Sequence, residues 1–343
     1  MPDQDNVKPA GPRVRVFAEQ VPAARLRSRE VMTALGERDM QLVAAVFPGD
    51  DPLPTIAAAR EHGVAIALWP MLDDRHGRWA NTTNAPQWAG FVRGLLHRCD
   101  AHGLRPDELC VDLEPPIASM RRALDGRFGA AARGRGEAHH RGLASLRDAL
   151  DDANARGVTS WAAAVPLVLA DGVDRGGWQS LLRTPIDALP LARVSVMLYS
   201  SLLVGYARGV LRRDDAEPLL FAAARRAHQR FGARASAALG AVGRGALGDE
   251  AVLRDVAELR RDVALARAAG IEDLALFDLG GALQRGPFQH WLDAMGQPAC
   301  ADVPMHTRRA RLLWLACAGL GRVLPRGRAA QGGSSSNDSD SAA

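Results

Sequence analysis

The chain has 343 residues, of which 47% are hydrophobic, enough to bury the core of one large domain or of two small ones. This composition excludes a chain that is disordered throughout. The formal net charge of +4 comes from the segment 306–343, which holds six arginines and two aspartates, so the body of the chain is neutral and we expect no nucleic-acid surface.

The cysteines and histidines give no sign of a metal site. The four cysteines are widely spaced and form no CxxC pair, so we predict neither a zinc site nor a disulfide framework. His139 and His140 begin a predicted helix, where adjacent positions do not face each other, and we expect them to be exposed. Segment 1–12 is predicted to be disordered and lacks the basic and then apolar pattern of a secretory signal, which gives a cytoplasmic location by default.

Short runs of β-branched and small apolar residues recur along the body, separated by amphipathic segments rich in Ala, Leu and Arg. This alternation is typical of βα units, and runs that are apolar throughout suit strands buried on both faces of a parallel sheet. Eight such units in roughly 250 residues predict a closed (β/α)8 TIM barrel, with an open doubly wound sheet as the alternative. The predicted strands are Arg13–Glu19, Gln41–Phe47, Val64–Pro70, Glu108–Glu114, Val158–Val165, Arg193–Tyr199, Ala233–Gly240 and Asp273–Asp278.

Helices are predicted between these strands from apolar spacing and from residues that favour helix ends. The predicted helices are Pro22–Leu35, Pro54–Glu61, Pro86–Ala101, Glu137–Ala155, Pro218–Arg230 and Asp249–Ala268. A glycine typical of a left-handed C-cap follows most of them, at Gly63, Gly103, Gly157, Gly232 and Gly270. We therefore assign 13–299 to a single barrel domain.

Two longer segments interrupt this rhythm after the third and fourth predicted strands. They are Met71–Gln87 and Pro115–Gly136, and both fall on the side of the barrel where active sites are built. Walls of a substrate site and solvated insertions are the two interpretations of these segments.

Beyond the barrel, the extension 300–331 contains an apolar stretch flanked by arginines, Arg308–Leu324. The stretch is too short to cross a bilayer, which takes ~20 apolar residues. We predict a terminal helix packed on the barrel, and an interfacial helix in weak contact with a membrane surface is the alternative. The segment 332–343 is rich in Ser, Gly and Asp and is predicted to be disordered.

The fourth predicted strand ends in two acidic residues, in the order Cys110-Val111-Asp112-Leu113-Glu114. If Val111 and Leu113 pack against the helices, the period of two points both carboxylates into the barrel mouth. Same-face neighbours are ~7 Å apart, so the two carboxylates perturb each other and the pKa of one is raised. Such an acid can protonate the leaving oxygen of a glycosidic bond. A buried pair that serves only hydrogen bonding is the alternative.

This ending resembles that of the chitinase-like glycoside hydrolases of family 18, which share the barrel and carry DxxDxDxE on strand four. Asp107, Asp112 and Glu114 fall in register with this motif, and Cys110 stands where the family has an aspartate. The resemblance implies that Glu114 is the general acid/base and Asp112 its orienting partner. It also implies that the substrate's own acetamido group acts as nucleophile with retention of configuration, and that no cofactor or metal is needed.

Strands six and eight extend the resemblance. Met197 and Tyr199 resemble the M-x-Y that ends strand six in the family, where the tyrosine helps to hold the sugar, while Ser200 stands where an aspartate is frequent. Filling of the barrel core is the alternative for Met197 and Tyr199. The family places a tryptophan under the sugar at strand eight, where this chain has Phe277 followed by Asp278, and we assign Asp278 to sugar positioning.

Aromatic and acidic residues near other strand ends complete the predicted site. Trp69, Trp79 and Trp88 are candidate stacking platforms for the apolar faces of a sugar, with packing as the alternative. Glu19 ends the first strand and is a candidate second carboxylate opposite Glu114, or else an ordinary N-terminal polar contact.

The leading hypothesis is therefore a glycoside hydrolase that acts on a polysaccharide or glycan. A barrel that binds carbohydrate without cleaving it is the first alternative, because the changes at Cys110 and Phe277 suit a lectin-like relative. The second alternative is a metal-dependent barrel hydrolase that uses Asp112, Glu114 and Asp278 as oxygen ligands.

Overall fold

In the computed structural model, the described residues are 13–124, 136–171, 177–206, 211–245, 248, 250–305 and 307–323. They contain eight parallel strands that close into a barrel in chain order, which confirms the predicted (β/α)8 fold. The predicted disordered segments 1–12 and 332–343 lie outside the described residues. The strands are β1 (Val14–Ala18), β2 (Met40–Val46), β3 (Ile66–Pro70), β4 (Glu108–Leu113), β5 (Thr159–Ala164), β6 (Val194–Met197), β7 (Ala235–Gly240) and β8 (Asp273–Phe277).

Each strand begins and ends within two residues of its predicted bounds. The ring closes where β1 pairs with β8, with Val14 opposite Leu274. Alternate residues of a strand face opposite sides of the barrel wall. Val111 and Leu113 pack in the layer between the strands and the helices, whereas Cys110 packs in the barrel interior. The predicted facing of β4 is therefore confirmed.

Thirteen α-helices are described, and the longer ones surround the barrel. They are α1 (Ala23–Leu26), α2 (Arg29–Gly36), α3 (Leu53–Glu61), α4 (Ala85–Ala101), α5 (Ile117–Leu124), α6 (Glu137–Ala155), α7 (Gly177–Leu182), α8 (Ser200–Tyr206), α9 (Arg213–Phe231), α10 (Val256–Ala268), α11 (Leu279–Gln284), α12 (Phe288–Ala294) and α13 (Arg308–Val323). The five predicted C-cap glycines all have positive φ, between 56° and 93°, which is the conformation that glycine adopts at least cost.

The predicted helix Pro22–Leu35 is wrong as a single helix. It is two helices, α1 and α2, because Ser28 interrupts it as an N-cap whose side chain accepts a hydrogen bond from the Val31 amide at 3.4 Å. An N-cap residue of this kind starts a new helix by satisfying an amide that has no partner within the helix.

Two predicted helix starts are also wrong. Helix α9 begins at Arg213 and not at Pro218, because the Asp215 carboxylate accepts a hydrogen bond from the Arg212 amide at 3.0 Å and caps an earlier turn. Helix α10 begins at Val256 and not at Asp249, because Asp255 accepts a hydrogen bond from the Glu258 amide at 3.1 Å.

Helix α13 packs against the barrel near α7 and α9, as predicted for the segment Arg308–Leu324; Leu324 itself lies outside the described residues. Ala310 is fully buried against Leu211 and Leu219. The Trp178 indole donates a hydrogen bond to the carbonyl of Cys317 at 3.0 Å, and Thr307 donates one to Asp215 at 2.6 Å. Across the described ranges, no helix is both long and apolar enough to cross a membrane.

A cluster of buried ion pairs ties four strands together at the amino end of the barrel interior. Arg15 on β1 donates hydrogen bonds to Asp273 on β8 and to Glu108 on β4, the latter at 3.2 Å. Arg193, next to β6, lies 2.9 Å from Asp273. The Arg15 guanidinium also lies 5.0 Å from the Trp161 ring. Buried charges are costly unless they are paired in this way.

Replacing Arg15 by Met should lower the free energy of unfolding by about 3–5 kcal/mol, because the substitution leaves buried carboxylates with one partner fewer. Urea denaturation of both proteins at pH 7 measures this loss. The matched control is Arg25→Met, which breaks the exposed Arg25–Glu30 pair and should cost under about 1 kcal/mol. Equal losses for the two variants would contradict a stabilising role for the buried cluster.

Candidate active site

The carboxyl ends of the strands meet at a cavity of about 980 Å³. Its polar lining at the barrel mouth consists of Glu19 after β1, Asp112 and Glu114 at the end of β4, Tyr199 after β6 and Glu250 after β7. Trp69, Met197 and Trp79 also line it. Of the predicted site residues, all except Asp278 and Trp88 line this cavity, at the end of the barrel where this fold builds active sites.

Asp112 and Glu114 form an acidic pair in which Asp112 is buried and Glu114 is half-buried. Asp112 is only 3% exposed, and burial followed by the charge of Glu19 raises its pKa to about 8, although its contact with Glu114 acts in the opposite direction. Burial raises the pKa of Glu114 well above its usual range, and the negative charges of Asp112 and Glu250 raise it further. The pair therefore holds at least one proton at neutral pH.

Two buried polar atoms at this end of the barrel complete no hydrogen bond of normal geometry with the described residues, Asp112 Oδ1 and Trp69 Nε1. Burial is the main influence on the pKa of Asp112 and raises it, while the nearby Trp69 indole lowers it. A buried polar atom without a partner costs free energy. Both atoms therefore keep unmet hydrogen-bonding capacity, on residues that line the cavity.

Glu19 is held by an arginine from the segment after β3. Arg78 donates a hydrogen bond to Glu19 at 2.7 Å and a second to Asp74 at 2.6 Å. Burial raises the pKa of Glu19 to about 7, and Arg78 limits this rise. Glu19 therefore ionises at a lower pH than the Asp112–Glu114 pair. Arg78 and Trp79 make the insertion Met71–Gln87 a wall of the site, which was one of its two interpretations.

Aromatic rings form one side of the site. Tyr199 stacks on Phe277 with ring centroids 5.2 Å apart, and Trp69 meets Phe17 and Phe277 edge-on at 5.0 and 6.5 Å. Burial keeps the pKa of Tyr199 well above its usual range, so its hydroxyl stays protonated. Phe277 occupies the position on strand eight where family 18 has a tryptophan.

Asp278 and Trp88 do not line the cavity. The Asp278 carboxylate accepts a hydrogen bond from the Gly281 amide at 3.0 Å and caps α11, and Asp278 is not among the described residues that line the cavity. Trp88 is fully buried on α4, where its indole donates to the carbonyl of Pro70 at 3.0 Å. Of the two interpretations of Trp88, the packing role is the one that the structure shows.

The other polar residues singled out in the sequence lie outside the cavity. Asp107 accepts a hydrogen bond from the Ile66 amide at 2.8 Å at the amino end of β4, opposite the site. His139 is half-buried with its Nδ1 3.1 Å from the Thr82 hydroxyl, whereas His140 is exposed as predicted. In the part of the chain that the structure describes, no three His, Cys, Asp or Glu side chains are grouped to hold a metal ion.

Three contributors to the site escaped the sequence analysis: Phe17, Arg78 and Glu250. Phe17 reads as an ordinary apolar strand residue, although its position near the carboxyl end of β1 is a signal. Arg78 and Glu250 lie on loops that follow β3 and β7. Loops on this face carry function in barrels, but the spacing of residues in a long loop does not show which side chain points into the site.

Neither a family model nor a curated protein sequence matches the chain. Among solved structures, the spore cortex-lytic enzyme SleL of Bacillus megaterium QM B1551 is similar over 88% of this chain and 77% of that chain, with 12% identity and a TM-score of 0.51. The PgaB (BpsB) glycoside hydrolase domain of Bordetella bronchiseptica matches 85% of this chain and 100% of that chain, with 12% identity and a TM-score of 0.48. A D-allulose 3-epimerase from Methylomonas sp. matches 79% and 85%, with 14% identity and a TM-score of 0.42. At these identities the likeness shows the barrel fold alone.

Replacing Asp112 by Asn should raise the free energy of unfolding at pH 9 by roughly 2–4 kcal/mol. The folded state raises the pKa of Asp112 from 3.8 to about 8, so the folded protein keeps a proton that the unfolded chain releases. This contribution to stability is complete below pH 4 and is lost as the pH rises through about 8.

Urea denaturation of wild type and Asp112→Asn at pH 4, 7 and 9 measures the effect, and the difference should be smallest at pH 4. Asp151→Asn, an exposed position on α6, is the matched control and should change stability little at any pH. If Asp112→Asn is less stable than wild type at pH 9, ionisation of Asp112 does not destabilise the folded state.

Proposed function

We propose that the protein is a glycoside hydrolase that cleaves O-glycosidic bonds of a polysaccharide or glycan, with Glu114 as its general acid/base. The observation that carries this proposal is the Asp112–Glu114 pair, which holds a proton at neutral pH in a cavity large enough for a sugar. Cleavage of a glycosidic bond requires protonation of its leaving oxygen.

The acid step uses the raised pKa of Glu114. Its protonated carboxyl donates to the glycosidic oxygen as the bond to the sugar carbon breaks, and the resulting carboxylate then takes a proton from the incoming water. Asp112 lies beside it and alters its proton affinity. The departure at Cys110 removes the further aspartate that relays the proton in family 18, so Asp112 and Glu114 would share the proton between themselves.

Positive charge develops on the sugar carbon in the transition state, and a fixed negative charge nearby stabilises it. Among Glu19, Asp112 and Glu114, the group that ionises at the lowest pH is Glu19, which is paired with Arg78. We assign it to this electrostatic role. If the chemistry follows family 18, the substrate's acetamido group attacks the sugar carbon and the product retains its configuration.

Sugar binding would use the aromatic side of the cavity. The rings of Trp69, Tyr199 and Phe277 suit the apolar faces of a pyranose, and Met197 adds apolar contact beside them. Asp112 Oδ1 and Trp69 Nε1 offer an acceptor and a donor to sugar hydroxyls. The role of Asp278 in positioning sugar stays a prediction, since its carboxylate is engaged in the α11 cap.

Glu114→Gln should reduce kcat on the best substrate of a glycan panel by about 10²–10⁴-fold, because the amide has nearly the same shape but no transferable proton. Release of reducing sugar from chromogenic and natural glycans measures the loss. The matched control is Glu37→Gln, a change at an exposed glutamate whose side chain is 67% exposed, and its kcat should equal that of wild type.

The same panel separates the alternatives. Glycan binding without turnover by wild type, unchanged in Glu114→Gln, would replace the hydrolase by a carbohydrate-binding barrel. Turnover that disappears with a chelator and returns with a divalent cation would favour the metal-dependent hydrolase. Inversion of configuration in the product would rule out the acetamido mechanism.

The activity should follow a bell-shaped pH profile. Activity should rise as Glu19 ionises near pH 7 and fall at higher pH as Glu114, whose pKa is raised well above its usual range, loses its proton. Arg78→Met removes the cation that lowers the pKa of Glu19, so the acidic limb should move upward by roughly one unit. Profiles of kcat/KM for both proteins test this, and an unmoved acidic limb would remove Glu19 from the mechanism.

A further inference from the structure

The cavity does not end at the carboxylates. From the mouth of the barrel the cavity extends outward between the 3₁₀ turn Pro166–Ala170, α8, α9 and α13. Each of these elements contributes side chains to its lining. A sugar bound at Asp112 and Glu114 would fill the part at the barrel mouth. The outer part needs a different explanation.

The outer part, which we name the leucine chamber, is lined by apolar side chains. Its walls include Leu167, Leu203, Leu211, Leu219, Leu220 and Leu313. Hydroxyl groups placed there would lose their hydrogen bonds to water without replacement, at considerable cost. A hydrocarbon chain would instead be transferred from water into apolar surroundings, which is favourable. The chamber is therefore unsuited to further sugar units and suited to an alkyl or acyl chain.

The rim of the chamber is formed by α13. Leu312 and Leu313 both line the cavity and are 67% and 39% exposed, and Arg309 joins them with a half-exposed side chain. The far end of the cavity thus meets solvent beside an apolar and basic helix. A long chain can enter from this side while its head group reaches the carboxylates.

We propose that the cavity binds an amphiphile, with a glycosyl head at Asp112 and Glu114 and a hydrocarbon chain in the leucine chamber. The position of the head rests on the proposed function, and the inference adds the substrate class: a glycolipid or another glycoside with a long apolar aglycone. The chain would anchor the substrate by apolar contact alone, leaving the carboxylates free for chemistry.

The outer surface of α13 favours a lipid surface as the source of this substrate. Leu315 and Leu320 are 55% and 53% exposed, and Arg308 and Arg311 are exposed on the same helix. A helix with exposed leucines and arginines binds the headgroup boundary of an anionic membrane. Here such binding would bring the rim of the chamber to the lipids.

The chain-length test uses hexyl, octyl and decyl β-D-glucoside below the concentrations at which they form micelles, with isothermal titration calorimetry as the readout. The head group is constant, so the change in Kd reports on the chain. Kd should fall by about fourfold for each added methylene, which corresponds to about 0.8 kcal/mol. The same series with Glu114→Gln should give the same dependence, because the acid does not contact the chain. A Kd that does not change with chain length would overturn the proposal.

Two variants test whether the hydrocarbon chain of the ligand lies in the leucine chamber. Leu203→Trp fills part of the chamber and should weaken decyl glucoside binding at least tenfold, while Leu313→Gln changes the rim and should weaken it about threefold. Leu313 is partly exposed, so this second variant tests the chamber even if Leu203→Trp does not fold. The matched control is Leu315→Gln, on the same helix but outside the cavity lining, and it should bind like wild type. Equal binding of decyl glucoside by wild type and all three variants would show that the hydrocarbon chain does not lie in the leucine chamber.

These measurements separate this inference from the proposed function. A steep chain-length dependence with no glycan turnover would support the chamber and remove the hydrolase. Glycan turnover that depends on Glu114, with no chain-length dependence, would support the hydrolase and overturn the chamber.

The source of the substrate is tested by sedimentation with phosphatidylcholine vesicles with and without phosphatidylglycerol. Wild type should sediment with the anionic vesicles, and the double variant Leu315→Gln/Leu320→Gln should not. Chain-length dependence without sedimentation would identify a free amphiphile as the ligand and overturn the membrane source.

Discussion

The closed ring of strands is a barrier to water, and the charges that face its interior are arranged accordingly. At the amino end, Arg15 and Arg193 pair with Asp273 and Glu108, so that β1, β4, β6 and β8 are held by buried ion pairs. At the carboxyl end the acidic groups meet fewer cations. Asp112 and Glu114 keep protons there instead of forming salt bridges, because burial makes their ionisation expensive. The exclusion of water thus gives an ionic cluster at one end of the barrel and a protonated acidic pair at the other.

The architecture was predictable because every strand is an almost uninterrupted apolar run, which is what burial on both faces demands. The pair Asp112 and Glu114 was predictable for the same reason, since two acids at the end of such a run share a face. Helix starts were harder to predict. Capping by Asp215 and Asp255 sets the starts of α9 and α10, whereas Pro218 and Asp249 are residue types that favour a helix start equally well. Loop residues could not be predicted because nothing in their spacing fixes their direction.

The two parts of the cavity differ in what they can recognise. The barrel mouth combines carboxyl groups with the stacked rings of Tyr199 and Phe277, and under the proposed function it would distinguish sugars by hydrogen bonding and ring contact. The leucine chamber has mainly shape and apolar area to offer, so it would distinguish chains by their length and not by polar groups. A site of this kind would recognise the chemistry of the head group and the length of the chain. The barrel fold shared with SleL gives no information on either preference.

The walls of the leucine chamber come from distant parts of the chain, and this has a consequence for biosynthesis. Leu219 and Leu220 on α9 leave the ribosome roughly ninety residues before Leu312 and Leu313, a delay of about 5 to 20 s at ordinary rates of translation. Once β8 has also emerged and the ring can close, the nascent barrel presents a leucine-lined slot until α13 covers it. Transiently exposed hydrophobic surface of this kind makes a folding chain prone to aggregation. The last helix would therefore act in folding as well, as the segment that ends this exposure.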